Sequence, residues 1–164
     1  MIARRIWFLL ALVLSTAATA NAQSKTGTQN TLLGTWKLRV NESKADPGPL
    51  PRSEVRTYSV AGPDGVKLTV EGIDAGGNRF AYSYTARFDG KDYPLTGTGT
   101  RNGGDMLALT RIDPYTVESV VKKAGVVVNK TRLVVSRDRK STISEAGTNQ
   151  SGQSTSGVRV YSNE

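Results

Sequence analysis

From Gly34 to the C-terminus, turn-forming residues interrupt the chain roughly every 8–12 residues, and the stretches between them alternate polar with apolar. A repeat of two buries one face of a strand, whereas a helix needs apolar residues three and four apart. Val66-Lys-Leu-Thr-Val-Glu-Gly72 alternates cleanly, and Trp36, Leu38 and Val40 alternate with Lys37 and Arg39. Phe80, Tyr82, Tyr84, Ala86 and Phe88 share one face of another strand. Gly62-Pro-Asp-Gly65, Asp74-Ala-Gly-Gly77, Asp89-Gly90, Arg101-Asn-Gly-Gly104, Asp113-Pro114 and Lys123-Ala-Gly125 supply the turns. The pattern predicts an all-β chain without a helix. Its short connections favour hairpins, and so an up-and-down meander barrel of about 8–10 strands. A β-sandwich is the alternative. It needs longer crossings, and only 43–53 offers one, where Pro47, Gly48, Pro49 and Pro51 predict an extended crossover. Closing the meander also removes exposed strand edges.

The N-terminus follows a different logic. Arg4 and Arg5 precede the apolar run Ile6–Leu14, and small residues lead to Ala20-Asn21-Ala22. A basic start, a short apolar core and an A-x-A end predict a signal peptide over 1–22, cleaved after Ala22. The protein is then exported, to the periplasm or the extracellular space, without a lipid-bearing Cys. No transmembrane segment is expected in the mature form. Residues 23–31 are small and polar and read as a disordered lead, leaving 32–164 as one β-barrel domain.

Two absences restrict the chemistry. The 164 residues include no Cys and no His. This excludes disulfides, thiolate nucleophiles, Ser-His-Asp relays and HExxH zinc sites. Neither a metal nor a cofactor is expected. Asp89 and Asp92 lack the remaining ligands of a calcium loop, and Gly97–Gly104 lacks the Lys-Ser/Thr ending of a phosphate loop. The expectation is a binding protein and not an enzyme. The formal charge of +8 is spread along the strands without aromatic interleaving, so no nucleic-acid partner is expected. Weak, salt-sensitive contact with anionic envelope surfaces is the charge-based expectation.

The two ends of the barrel region carry a resemblance. Leu33-Gly-Thr-Trp-Lys-Leu38 resembles the Gly-x-Trp start of the calycins, the lipocalin and fatty-acid-binding-protein group. Gly157-Val-Arg-Val-Tyr161 resembles the Arg-x-Tyr ending of fatty-acid-binding proteins. The chain is also similar to an uncharacterised family of exported bacterial proteins with a Gly-Thr-Trp-Lys-Leu start, a Pro-Gly-Pro crossover and an Asp-Gly-Lys-x-Tyr-Pro segment, here Asp89–Pro94. In place of the helix-turn-helix lid of fatty-acid-binding proteins, this chain has the Pro-rich 44–51. The resemblance implies a lipocalin-like barrel holding a small apolar or amphipathic ligand.

Two readings of the ends stay open. In one, Trp36 closes the barrel and the Arg159 guanidinium lies over its ring, a cation–π contact worth roughly 0.5–2 kcal/mol. In the other, which the fatty-acid-binding ending implies, Arg159 and Tyr161 point inward and bind a ligand carboxylate. Tyr58, Phe80, Tyr82 and Tyr84 are candidate ligand-binding residues as well as core, since buried Tyr hydroxyls need polar partners. The rival function is a filled barrel that presents its loops to another envelope protein.

Overall fold

The computed structural model describes residues 30–164 apart from 139, 149 and 150. The expected signal peptide over 1–22 and residues 23–29 of the lead lie outside the described residues. The strands are β1 (Gly34–Leu38), β2 (Lys44–Asp46), β3 (Ser53–Val60), β4 (Gly65–Ile73), β5 (Arg79–Arg87) and β6 (Asp89–Gly97). β7 (Met106–Asp113), β8 (Thr116–Lys123), β9 (Val126–Val135), β10 (Lys140–Thr148) and β11 (Ser154–Asn163) complete the set. From β3 onward each strand pairs antiparallel with the next, and β1 pairs with both β3 and β11. Ten strands therefore close into an up-and-down barrel, at the upper end of the expected range, and the sandwich alternative is excluded. Among the described residues, helix is confined to two three-residue 3-10 turns.

The seam of the barrel is one strand interrupted by a bulge. β1 runs along β11 with Leu38 opposite Tyr161, and β2 resumes that path with Lys44 opposite Val158. Residues 39–43 loop outward between them, which would strand the backbone of Val160. Two substitutes are present: the Arg39 N–H donates to the Val160 carbonyl at 2.8 Å, and the Val160 N–H donates to Ser43 Oγ at 3.0 Å. A buried N–H left without an acceptor costs about as much as a lost hydrogen bond, so Ser43 holds the bulge shut. The expected crossover thus starts with a three-residue strand before its prolines turn the chain toward β3.

Local chemistry sets the hairpins. β8 and β9 are joined by Ala124 and Gly125, both at positive φ (48° and 80°), the turn whose twist matches that of paired strands. Asp89-Gly90, expected as a turn leading into a strand from Lys91, forms the start of β6, with Gly90 at φ 72° and the Lys91 N–H donating to Asp89 Oδ1 at 3.1 Å.

Alternation then fills the interior. β4 sends in Val66, Leu68 and Val70, and β7 sends in Leu107 and Leu109. Residues 30–33 cross one end of the barrel. Leu32 is buried in the core, and the Thr31 hydroxyl donates to the Pro114 carbonyl at 2.7 Å. Asn30 and Thr31, the last residues of the expected lead, thereby form a strap over that opening.

Candidate interior binding site

Strand β3 turns Glu54, Arg56 and Tyr58 inward, and Glu54 is 1% exposed. Strand β11 turns Arg159 and Tyr161 inward from the far side of the seam. The loop after β6 carries Arg101 down to the same point. Three of these guanidiniums and the Tyr161 hydroxyl converge on the Glu54 carboxylate. Its Oε1 accepts from Arg56 Nε at 2.7 Å and from the Tyr161 hydroxyl at 2.7 Å. Its Oε2 accepts from Arg101 Nη2 at 3.1 Å and Arg159 Nη1 at 3.3 Å.

A carboxylate taken out of water costs several kcal/mol unless charged donors replace the lost hydration. Here four donors do so. Burial pushes the Glu54 pKa up, but Arg56, Arg101, Arg159 and the Tyr161 hydroxyl overcome it and hold the group well below the usual carboxylate range. Burial also works against the charge of Arg56, and Tyr161 and Glu54 outweigh it, so the guanidinium stays protonated. Burial raises the phenol pKa values of Tyr58, Tyr84 and Tyr161. These hydroxyls are therefore neutral donors. Among the described residues, no cluster of acidic side chains suits a metal ion.

Beside this network lies an interior cavity of about 60 Å³. Arg56, Tyr58, Tyr82, Tyr84 and Arg101 make its polar side, and Leu, Val, Ile and Phe side chains make most of the rest. The Ser119 and Thr131 hydroxyls also reach it, bonded to each other at 2.6 Å. A mostly apolar cavity with a few grouped polar side chains is the layout of a ligand site, in which those polar groups set orientation.

The sequence candidates separate into groups. Tyr58, Tyr82 and Tyr84 line the cavity. Phe80 is half-buried and stacks on Tyr82, with ring centroids 6.4 Å apart. Arg159 and Tyr161 stand behind the cavity wall and are bonded to Glu54. The place that the resemblance gives to a ligand carboxylate is taken by the chain's own. Trp36 is 1% exposed near the strap, where its Nε1–H donates to the Leu32 carbonyl at 2.7 Å. The expected stacking of Arg159 on Trp36 is corrected: among the described residues the cation–π contacts are Arg56 over Tyr161 at 4.9 Å and Arg111 over Phe88 at 4.0 Å. A buried carboxylate attracts a guanidinium more strongly than a ring face does.

Sequence reasoning missed Glu54, Arg56 and Arg101. The first two alternate with Tyr58, so the signal was present in β3. Its opposite face, Val55, Thr57 and Ser59, was an equally plausible inner face by composition. For Arg101, inside a Gly-rich loop, no sequence signal existed.

No protein-family model matches the chain, and no curated protein is significantly similar to it. Among solved structures, the fluorescent protein UnaG aligns over 81% of this chain and 97% of its own, with a TM-score of 0.54 at 14% identity. A point variant of UnaG aligns over 82% and 96%, with the same TM-score and identity. The fold is calycin-like. At such identity the likeness concerns strand number, order and closure, and it assigns no ligand.

Proposed function

We propose that this chain is an exported, non-catalytic binding protein whose barrel holds one small apolar or amphipathic molecule. The observation that carries the reading is the Arg56 guanidinium set beside Tyr58, Tyr82 and Tyr84 at the polar side of a mostly apolar cavity. Such a grouping orients a ligand's polar atoms while the aliphatic walls cover its body. Catalysis is disfavoured by the same groups. Glu54 is held ionised by four donors, the phenols of Tyr58, Tyr84 and Tyr161 are held protonated, and neither state suits a proton carrier near neutral pH. Export rests on the Arg4–Ala22 pattern, and the basic surface adds weak contact with anionic envelope material.

The free volume of about 60 Å³ is well below the ~300–1,000 Å³ of typical ligand pockets. Accommodation therefore requires half-buried rings at the wall, Tyr84 and Phe88, to turn outward. The same small volume favours a second reading, a filled barrel that presents its loops to a protein partner. Native mass spectrometry of protein taken from its own envelope separates the two. A constant adduct of a few hundred daltons is the expected result. Ligand-free protein in repeated preparations would refute the carrier and favour the interaction module.

A further inference from the structure

We propose that Arg111 and Phe88 form the mouth of this barrel, where Arg111 docks the acid group of an amphipathic ligand and Phe88 is the movable partition between surface and interior. The inference rests on the binding reading above and names its ligand class and its route.

Phe88 faces two spaces. It lines the interior cavity, and it also lines a pocket of about 720 Å³ at the strap end of the barrel. That outer pocket is bounded by Asn30 and Leu33 of the strap, by the β3–β4 turn from Val60 to Gly65, and by Arg87–Asp89 with Arg111. Turning one ring thus widens the passage between a small inner cavity and a larger outer pocket. The sheet has a gap at this point. β5 and β6 pair only through Tyr82–Tyr84 against Gly97–Leu95, so the ladder is missing from Thr85 to Pro94 on either side of Phe88. Arg87 and Asp89 keep their pairings with β4 and β7, so the missing bonds are those between β5 and β6, and this local gap lowers resistance to their separation at Phe88.

Arg111 is a half-buried cation with unspent hydrogen-bonding capacity among the described residues. Its guanidinium lies 4.0 Å from the Phe88 ring centroid, and its Nη2 donates to Asn30 Oδ1, a neutral amide, at 3.2 Å. Its Nη1 is buried and makes no hydrogen bond among the described residues. Among those residues no carboxylate pairs with Arg111, although Asp64 and Asp89 sit at the pocket rim. Asp89 is already engaged, accepting from the Lys91 N–H at 3.1 Å and the Tyr93 hydroxyl at 3.0 Å. Arg56, by contrast, already holds Glu54 at 2.7 Å, so a second anion beside it would face a carboxylate. A ligand acid therefore gains more at Arg111, whose Nη1 lacks a hydrogen bond among the described residues and whose Nη2 holds only the neutral Asn30 amide. Its body then enters past Phe88 along the aliphatic shaft, so that the Arg56–tyrosine corner meets polar atoms remote from the acid group.

The test uses 11-(dansylamino)undecanoic acid and its methyl ester as fluorescent probes, titrated into wild type, Arg111→Gln, Arg111→Lys and Phe88→Ala. Circular dichroism checks that each variant is folded. Arg111→Gln is expected to weaken the acid about tenfold and the ester less than about twofold, with Arg111→Lys in between. Phe88→Ala is expected to speed association of both probes about threefold or more in stopped flow. Binding of both probes with Arg111→Gln indifferent, or affecting acid and ester alike, overturns the mouth and leaves the carrier standing. Failure of both probes to bind wild type overturns the carrier, and the mouth with it.

Discussion

Replacing Glu54 by Gln keeps the shape of the side chain and removes its charge. Three guanidiniums then face a neutral amide: Arg56 at 2.7 Å, Arg101 at 3.1 Å and Arg159 at 3.3 Å in the native network. Breaking one partner of a buried ion pair costs about 3–5 kcal/mol, because the remaining charge stays desolvated. The Glu54 side chain is 0% exposed and Arg159 7%, so solvent offers little relief. Glu54→Gln should therefore lose about 3–5 kcal/mol, or roughly 10–20 °C in Tm for a domain of this size. Urea unfolding followed by Trp36 fluorescence measures it. Adding Arg56→Met should cost less on top of Glu54→Gln than in wild type, since it takes away a cation whose carboxylate is already gone. The pH dependence has a definite sign. The folded-state pKa of Glu54 lies below its usual 4.5, so the stabilisation is full above that value and is lost as pH falls further. The gap between wild type and Glu54→Gln should be level from about pH 6 to 8 and narrow only under acid conditions. A Glu54→Gln protein within about 1 kcal/mol of wild type would refute the reasoning that charge, and not shape, holds this corner.

Other substitutions probe the rest of the design. Trp36→Phe removes a buried indole and its bond to the Leu32 carbonyl. It should cost about 2–3 kcal/mol in urea and speed amide exchange in the strap; unchanged exchange would detach Trp36 from the strap's anchoring. Gly97→Ala puts a Cβ at φ 118° into the Ala81 carbonyl oxygen, beside the three-residue β5–β6 ladder. A loss above about 2 kcal/mol is expected, and a near-neutral result would mean that this ladder is dispensable. Tyr82→Phe with Tyr84→Phe should weaken a polar-headed probe about fivefold while stability moves by less than about 1 kcal/mol; unchanged affinity and stability would remove both hydroxyls from the site.

Much of the architecture was legible because it is local. The alternation in Val66–Gly72 and Phe80–Phe88 marks strands wherever they end up, and Ala124-Gly125 or Gly62-Pro-Asp-Gly65 can only turn the chain. Meander order follows from those short links, and closure follows from the need to cover two edges. The start of β6 at Asp89-Gly90 shows the limit. Asp-Gly favours a turn, yet a register shift between Asp89 and Asp92 absorbs the irregularity and lets the segment run as strand. Lys44–Asp46 shows another, since a strand of three residues exists only because β11 offers it an edge.

What the sequence determined by itself is the period and its punctuation: a β chain of about 8–10 strands, wound as hairpins, with aromatic residues on the inner face of β5. What only the tertiary structure decided is which charges meet. Glu54 finds Arg101 47 residues away and Arg159 105 residues away, a relation that no local pattern encodes. Pairing β1 with β11 brings the two ends of the barrel together, and the dry interior then compels each buried charge to find its partner. The same closure filled the corner behind Arg159 and Tyr161 with the protein's own carboxylate. It left Arg111, at the strap end, with a donor to spare.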